Sequence, residues 1–204
     1  DARVGRLLES LKRAGIYDRT TIMVVSDHGF KTYKKLLHPN ALLKAKGLDN
    51  SVYVIPEGGT AMVYVTQPER KTELLPVLKS TFGALAGVKE VVGPEQFDKL
   101  GYPQPAKNDR MADLVLAAAE GHSFSGSRDG ESITDVPASS TPGAHGYLNT
   151  DRDMDAAFVA FGAGIKPGVT LDRIRNVDVA ATIARLLGLE MKDNDGRVLN
   201  EILR

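Results

Sequence analysis

The sequence has no cysteine. That removes disulfides, thiolate metal sites and cysteine nucleophiles together, so any metal must be held by His, Asp or Glu; it does not fix the compartment. An excess of one charge is also missing. Lys+Arg and Asp+Glu number 26 each, and no like-charge block reaches the length of a tail. This argues against a nucleic-acid surface or a polybasic membrane surface. No apolar run is long enough to cross a bilayer, and no signal-peptide pattern opens the chain. With 42% hydrophobic and 25% charged residues, disordered and fibrous classes are excluded. The 204 residues suffice for one domain with a substantial core, or one domain carrying a subdomain.

What is present begins with "DARVGRLLESLKRAG". Val4, Leu7, Leu8 and Leu11 recur at helical spacing, and Gly15 is placed as the C-cap. The segment enters this helix without a methionine or leader, so the sequence reads as a fragment of something longer. "TTIMVVSD" follows, a continuous apolar run without alternation, as expected of a strand covered on both faces in a parallel sheet. "HPNALLKAKGL" reads as a short helix, with Asn40 as N-cap and Gly47 as the stop.

From Tyr53 the texture changes. "AMVYVT" reads as a strand, "QPERKTELLPVLKSTFGAL" as a helix interrupted at Pro76, "VKEVVGPEQFDKLGY" as a strand and short helix, and "ADLVLAAAEGHSFSG" as another strand. "SGSRDGESITDVPASSTPG" is expected to be a long surface loop. "DAAFVAFGAGI" then returns to a buried strand. "NVDVAATIARLLGLE" is a helix with Val179, Ile183, Leu186 and Leu187 as its buried stripe, Asn176 as N-cap and Gly188 as the stop. Strands alternating with helices indicate an α/β layered domain with a mainly parallel sheet and a smaller inserted α+β subdomain. The expected division is 1–50 core segment, 51–137 insert and loop, and 138–204 core segment.

Chemistry concentrates at two places. In "TIMVVSDHGF" an apolar strand ends in Asp27 and His28, with Gly29 allowing a tight turn. Sites in α/β sheets form outside such strand ends. Taken alone, the plainer reading is a capping aspartate and a turn histidine. In "STPGAHGYLN" His145 lies between small neighbours that let a histidine approach a metal or phosphate. Taken alone, it is an ordinary loop histidine.

Together, "SDHG" after a strand, then "GAHGY", "FVAFGAGIKPG" and "NVDVAATIARLLGL" resemble the carboxyl-terminal half of the alkaline phosphatase superfamily. The type I phosphodiesterase/nucleotide pyrophosphatase family is the nearest match. The resemblance implies an alkaline-phosphatase-like α/β fold, present in part, and a site with two divalent metal ions, zinc foremost. Asp27 and His28 match the adjacent Asp-His ligands of one metal, and His145 the late histidine of the other. Imidazole and carboxylate suit zinc when thiolates are absent. Two such metals polarise a phosphoryl group and lower the pKa of nucleophile and water.

The implied activity is hydrolysis of phosphodiester or pyrophosphate bonds through a Thr or Ser nucleophile. The family's nucleophile, early Asp ligand and Asp-x-x-x-His pair have no counterpart in this sequence, and Ser26 matches a strand-end serine instead. A phosphomonoesterase, phosphomutase or sulfatase of the same superfamily, or a noncatalytic domain keeping the fold, are the alternatives. The resemblance further implies a small phosphodiester or nucleotide substrate and an extracytoplasmic location, periplasmic or secreted; it leaves the oligomeric state open. Elsewhere, His38 is expected to be a loop residue and His122 a strand-end residue that is structural or faces substrate. Asp151, Asp153 and Asp155 lack the glycine and glutamate of a calcium loop and read as a solvated turn. Tyr147 reads as core packing.

Overall fold

A computed structural model describes all residues from Asp1 to Arg204. In chain order the first elements are α1 (Ala2–Arg13), β1 (Thr21–Val25), β2 (Lys31–Thr32), β3 (Lys35–Leu37), α2 (Pro39–Ala45), β4 (Val52–Pro56) and β5 (Thr60–Val65). The next are α3 (Lys71–Gly83), β6 (Val88–Val92), α4 (Pro94–Leu100), β7 (Leu114–Ala118) and β8 (His122–Phe124). The last are β9 (Ile133–Asp135), β10 (Gly143–Ala144), β11 (Phe158–Gly162) and α5 (Asn176–Leu186). Contacts divide the chain into two compact units: Asp1–Asp27 with Ala156–Arg204 (unit 1), and His28–Asp155 (unit 2).

Unit 1 is built on a ribbon. β1 and β11 pair antiparallel, from Thr21↔Gly162 to Val25↔Phe158. Met23, Phe158 and Ala160 pack with Leu186 of α5 against Ile165, Leu199 and Ile202. Across the ladder, Val24 and Val159 remain exposed. The apolar run of β1 therefore does not make a strand covered on both faces. The helix α1 buries none of its residues, and Leu7 in its stripe is 52% exposed.

In α5 the expected stripe is also displaced. Asp178, Ala181 and Thr182 are buried; of the stripe, Val179 and Leu186 are half-buried, Leu186 packing on the core, while Ile183 and Leu187 are exposed. Hydrogen bonds explain the choice of face. The Asp178 carboxylate accepts the backbone N–H groups of Arg175 and Arg197 (3.0 and 2.9 Å), and Thr182 Oγ1 accepts that of Leu199 (3.0 Å). These bonds lay the carboxyl-terminal segment on the small polar face. They also make Arg175 the N-cap in place of Asn176, with Asp178 satisfying the first donor.

Unit 2 carries the larger core. Its four-stranded sheet has the order β4-β5-β7-β6, antiparallel throughout. Strand β4 alternates, with Val52 and Val54 inward and Tyr53 and Ile55 outward, whereas β7 is buried along its whole length. Leu74, Leu78 and Phe82 of α3 close over Val54, Val63, Leu114 and Leu116 in one cluster. Contrary to the expected interruption, α3 is continuous through Pro76. The fixed φ of proline suits a helix, and the cost is the hydrogen bond its missing N–H would have made.

A second sheet has β3 between β8, its parallel neighbour, and β9, its antiparallel one. The stretch expected to be a loop thus supplies β9 and β10. The β3–β8 pair is the sole parallel ladder, so a mainly parallel sheet is not what these residues form. Every other ladder is antiparallel, whether it joins strands consecutive in sequence, as β4 with β5 and β6 with β7, or distant ones, as β1 with β11.

The units also divide at different places from the compositional boundaries after residues 50 and 137. Asn40 shows why the first contact division comes earlier. Rather than capping α2, whose N-cap is His38, it lies in the first turn. Its side chain donates to the Val54 carbonyl (2.7 Å) and accepts the Val54 N–H (2.9 Å), fastening α2 to β4.

Candidate active site

Within unit 2 the two-residue ladder of β2 and β10 pairs Ala144 with Lys31. It brings together histidines from opposite ends of that unit. The rings of His28 and His145 stack with centroids 4.3 Å apart and planes 15° apart. Phe30, largely exposed, stands beside both, 5.6 Å from His28 and 5.5 Å from His145. Nδ1 of His28 lies 2.9 Å from the Gly29 carbonyl oxygen. A carbonyl only accepts, so Nδ1 carries the proton in this bond, and in the neutral tautomer that makes it the lone pair belongs to Nε2.

Gly29 has a close-approach role. Its N–H donates to the Met154 carbonyl (3.1 Å), and a Cβ there would overlap the backbone carbonyl of Asp153. The tip of the β4–β5 hairpin supports His145. Gly59 N–H donates to the His145 carbonyl (2.8 Å), and a Cβ at Gly58 would collide with that same oxygen. A Cβ at Gly59 would fall inside the Tyr147 ring. Gly146 adopts φ +74° against the Glu57 carbonyl, a backbone region that glycine enters freely. Tyr147, partly buried as core packing was expected to leave it, donates its hydroxyl to the His122 carbonyl (2.7 Å). Burial, ahead of the charges around it, pushes the Tyr147 phenol up from its ordinary value.

The three aspartates expected to form a solvated turn are only partly that. Asp151 and Asp153, with Glu120, surround the Lys31 ammonium at 2.9, 3.3 and 2.5 Å. Burial works against that charge, but the hydrogen bonds it donates to Glu120, Asp151 and Asp153 outweigh this and raise the Lys31 pKa. The same ammonium lies 5.4 Å from the centre of the Tyr147 ring.

Asp27 ends the β1 segment of unit 1. Its carbonyl accepts the Asn176 side-chain amide (2.8 Å). Ser26 beside it exchanges two bonds with Ala157: its N–H donates to the Ala157 carbonyl (3.0 Å), and its hydroxyl oxygen accepts the Ala157 N–H (2.9 Å). Asn176, expected as the N-cap of α5, thus also holds the Asp27 backbone, a role that a reading confined to caps overlooks. His38 is buried rather than looped out. Its Nε2 lies 2.9 Å from Thr134 Oγ1, its Nδ1 has no partner, and burial lowers its pKa. His122 begins β8, with Nδ1 2.8 Å from the Glu120 carbonyl. No three His, Asp or Glu side chains of this chain are grouped so as to hold a metal ion. No helix is long and apolar enough to cross a membrane.

Comparison with known proteins follows the same lines. The family model described as type I phosphodiesterase / nucleotide pyrophosphatase matches residues 1–148. Human ectonucleotide pyrophosphatase/phosphodiesterase family member 7 is 26% identical over 202 residues, which cover 97% of this chain and 41% of that protein. A bis(5'-adenosyl)-triphosphatase from Xenopus laevis is 25% identical over 202 residues, covering 98% of this chain and 40% of its own length. The chain therefore spans less than half the length of these curated relatives. Among solved structures, murine ectonucleotide pyrophosphatase/phosphodiesterase 5 superposes with a TM-score of 0.78 at 20% identity, covering all of this chain and 50% of that one. An inactive form of the murine protein, in complex with AMP, gives 0.77. These likenesses show a shared mixed α/β fold.

Proposed function

This chain belongs to the type I phosphodiesterase/nucleotide pyrophosphatase family, and from that membership we propose that it forms part of a metal-dependent hydrolase cleaving phosphodiester or pyrophosphate bonds. The observation that supports the reading is the stacked pair of His28 and His145, each inside a family-like motif. Asp27 and His28 serve as ligands of one divalent ion and His145 of a second, with zinc the metal that fits these donors. The Nε2 lone pair of His28, set by its Nδ1–carbonyl bond, has the form a ligand requires.

The donor types fit, but their number does not. A catalytic zinc takes about three protein ligands, and residues 1–204 bring no such group together. Residues 1–204 by themselves therefore complete neither metal site. The Thr or Ser nucleophile and the remaining ligands lie in the part of the protein that this chain does not span. A nucleotide is the favoured substrate, in line with the AMP complex of the murine protein. The same reading puts the protein outside the cytoplasm, periplasmic or secreted.

The test is an assay of the complete protein containing residues 1–204, with zinc added or chelated. The panel is a chromogenic phosphodiester, a dinucleoside polyphosphate, a phosphomonoester and a sulfate ester. Zinc-dependent turnover of the diester or pyrophosphate, lost in His145→Ala with folding retained, supports the proposal. Preference for the monoester or sulfate moves the protein elsewhere in its superfamily. No turnover with any substrate indicates a noncatalytic domain.

A further inference from the structure

We propose that Lys31 is a positioning residue that fixes the segment bearing His145 against the segment bearing His28; the inference rests on the functional reading above and adds a residue to it. The ladder joining the two segments is only two residues long. So short a pair has little stability of its own and does not by itself hold register. Lys31 is the residue of that ladder directly paired with Ala144, the neighbour of His145. Its ammonium then grips the chain again past His145, at Asp151 and Asp153, and reaches Glu120 ahead of β8. The segment from 144 to 154 is thereby held at Ala144 by the Lys31 backbone and at Asp151 and Asp153 by its side chain. At Met154 the Gly29 N–H completes the hold.

The placement of the charge argues for more than a surface ion pair. The Lys31 side chain is 9% exposed, against 46% for Lys35, which pairs with Asp135 nearby. The covered side chain brings its ammonium to three carboxylates, of which Asp151 is the most covered while Glu120 and Asp153 face solvent. Removing the ammonium leaves three carboxylates converging on one point, and their repulsion drives the segments apart. Lys31 acts through the backbone that carries the two imidazoles.

The experiment uses the 204-residue chain and nuclear magnetic resonance, reading the Overhauser contact between the His28 and His145 rings. Lys31→Met is expected to abolish that contact while the methyl signals of Leu114 and Leu116 stay in place. Lys31→Arg, which keeps the charge, is expected to restore it, and Lys35→Met to leave it intact. A His28–His145 contact of undiminished strength in folded Lys31→Met overturns the proposal. If Lys31→Met does not fold, Asp151→Asn decides instead: a contact weakened about twofold or more supports it, and an unchanged one overturns it. In the complete protein, Lys31→Met should lower kcat about tenfold with KM within about twofold, as expected when reacting groups lose alignment. A complete protein without activity, but with the ring contact responding as described, refutes the functional reading and leaves the positioning role standing.

Discussion

In unit 2 the helix α3 closes over a four-stranded sheet and takes Leu74, Leu78 and Phe82 out of water, whereas in unit 1 the helix α1 buries none of its residues. Unit 1 has a smaller core centred on Ile165, Leu199 and Ile202, and leaves Val24, Val159 and Leu187 exposed. Both units have apolar stripes at sound helical spacing. The comparison teaches that periodicity records which face a residue shares, and burial depends on what is there to cover it. The division also falls among the residues proposed above as ligands: His28 and His145 belong to unit 2, and Asp27 closes the first segment of unit 1.

The sharpest test of this contrast is a pair of truncations. Phe82→Ala should destabilise by about 3–5 kcal/mol, because a large buried ring leaves a cavity. Val159→Ala should stay within about 0.5 kcal/mol, as an exposed change does. Denaturant unfolding measures both, and equal costs would erase the distinction.

Next comes Gly59→Ala, where the added methyl has to displace the Tyr147 ring. We expect a loss of about 3 kcal/mol from overpacking, together with a changed Tyr147 environment by ultraviolet difference spectroscopy. Wild-type stability and spectrum would show the hairpin tip to be looser than described.

Unit 1 has one polar anchor of comparable weight. Asp178→Ala removes the acceptor of two backbone N–H groups and should cost about 2 kcal/mol. Loss of amide-exchange protection at Arg175 and Arg197 would locate the effect. Retained protection would contradict it.

His38 sharpens the comparison through pH. Burial holds its folded-state pKa below the ordinary 6.5, so the unfolded chain takes up the proton first. Stability is fully present above the unfolded value and is lost as pH falls through about 6.5 toward the lower folded value. Melting of unit 2 between pH 7.5 and 5 should show the decline, and His38→Gln should flatten it. The smallest effect is expected from zinc. Calorimetric titration of the 204-residue chain should give weak binding, with no turnover of a chromogenic phosphodiester. Tight stoichiometric binding would mean that the site is built differently.

The α/β class and several elements of unit 2 were legible because their patterns match local burial: β5 in "AMVYVT", β7 in its continuous apolar run, and α4 after β6 in "VKEVVGPEQFDKLGY". Sheet direction was not legible. The run "TIMVV" looks alike whether its neighbour is parallel or antiparallel, and its partner β11 lies far along the chain. Asn40 and Lys31 were missed for a related reason. Each acts on backbone or carboxylates distant in sequence, and no local pattern marks such a partner. Of the candidate site, the motifs around His28 and His145 were visible, and the hairpin tip that supports His145 was not. Only the fold shows that Gly58 and Gly59 make room for the backbone and ring beside them.

The bond from Gly29 to Met154 has a consequence for how the chain acquires its structure. It ties the first residues of unit 2 to its last. On the ribosome β1 emerges long before β11, and pairing them across a disordered intervening chain would carry a large closure entropy. Once unit 2 has folded with its ends fastened, that closure becomes a short one, because loop entropy grows with the length of flexible chain. The order of events is thus set by topology, the continuous middle first and the split ribbon after it. A substitution at Gly29 would slow the zipping of β1 onto β11 even though neither strand had changed.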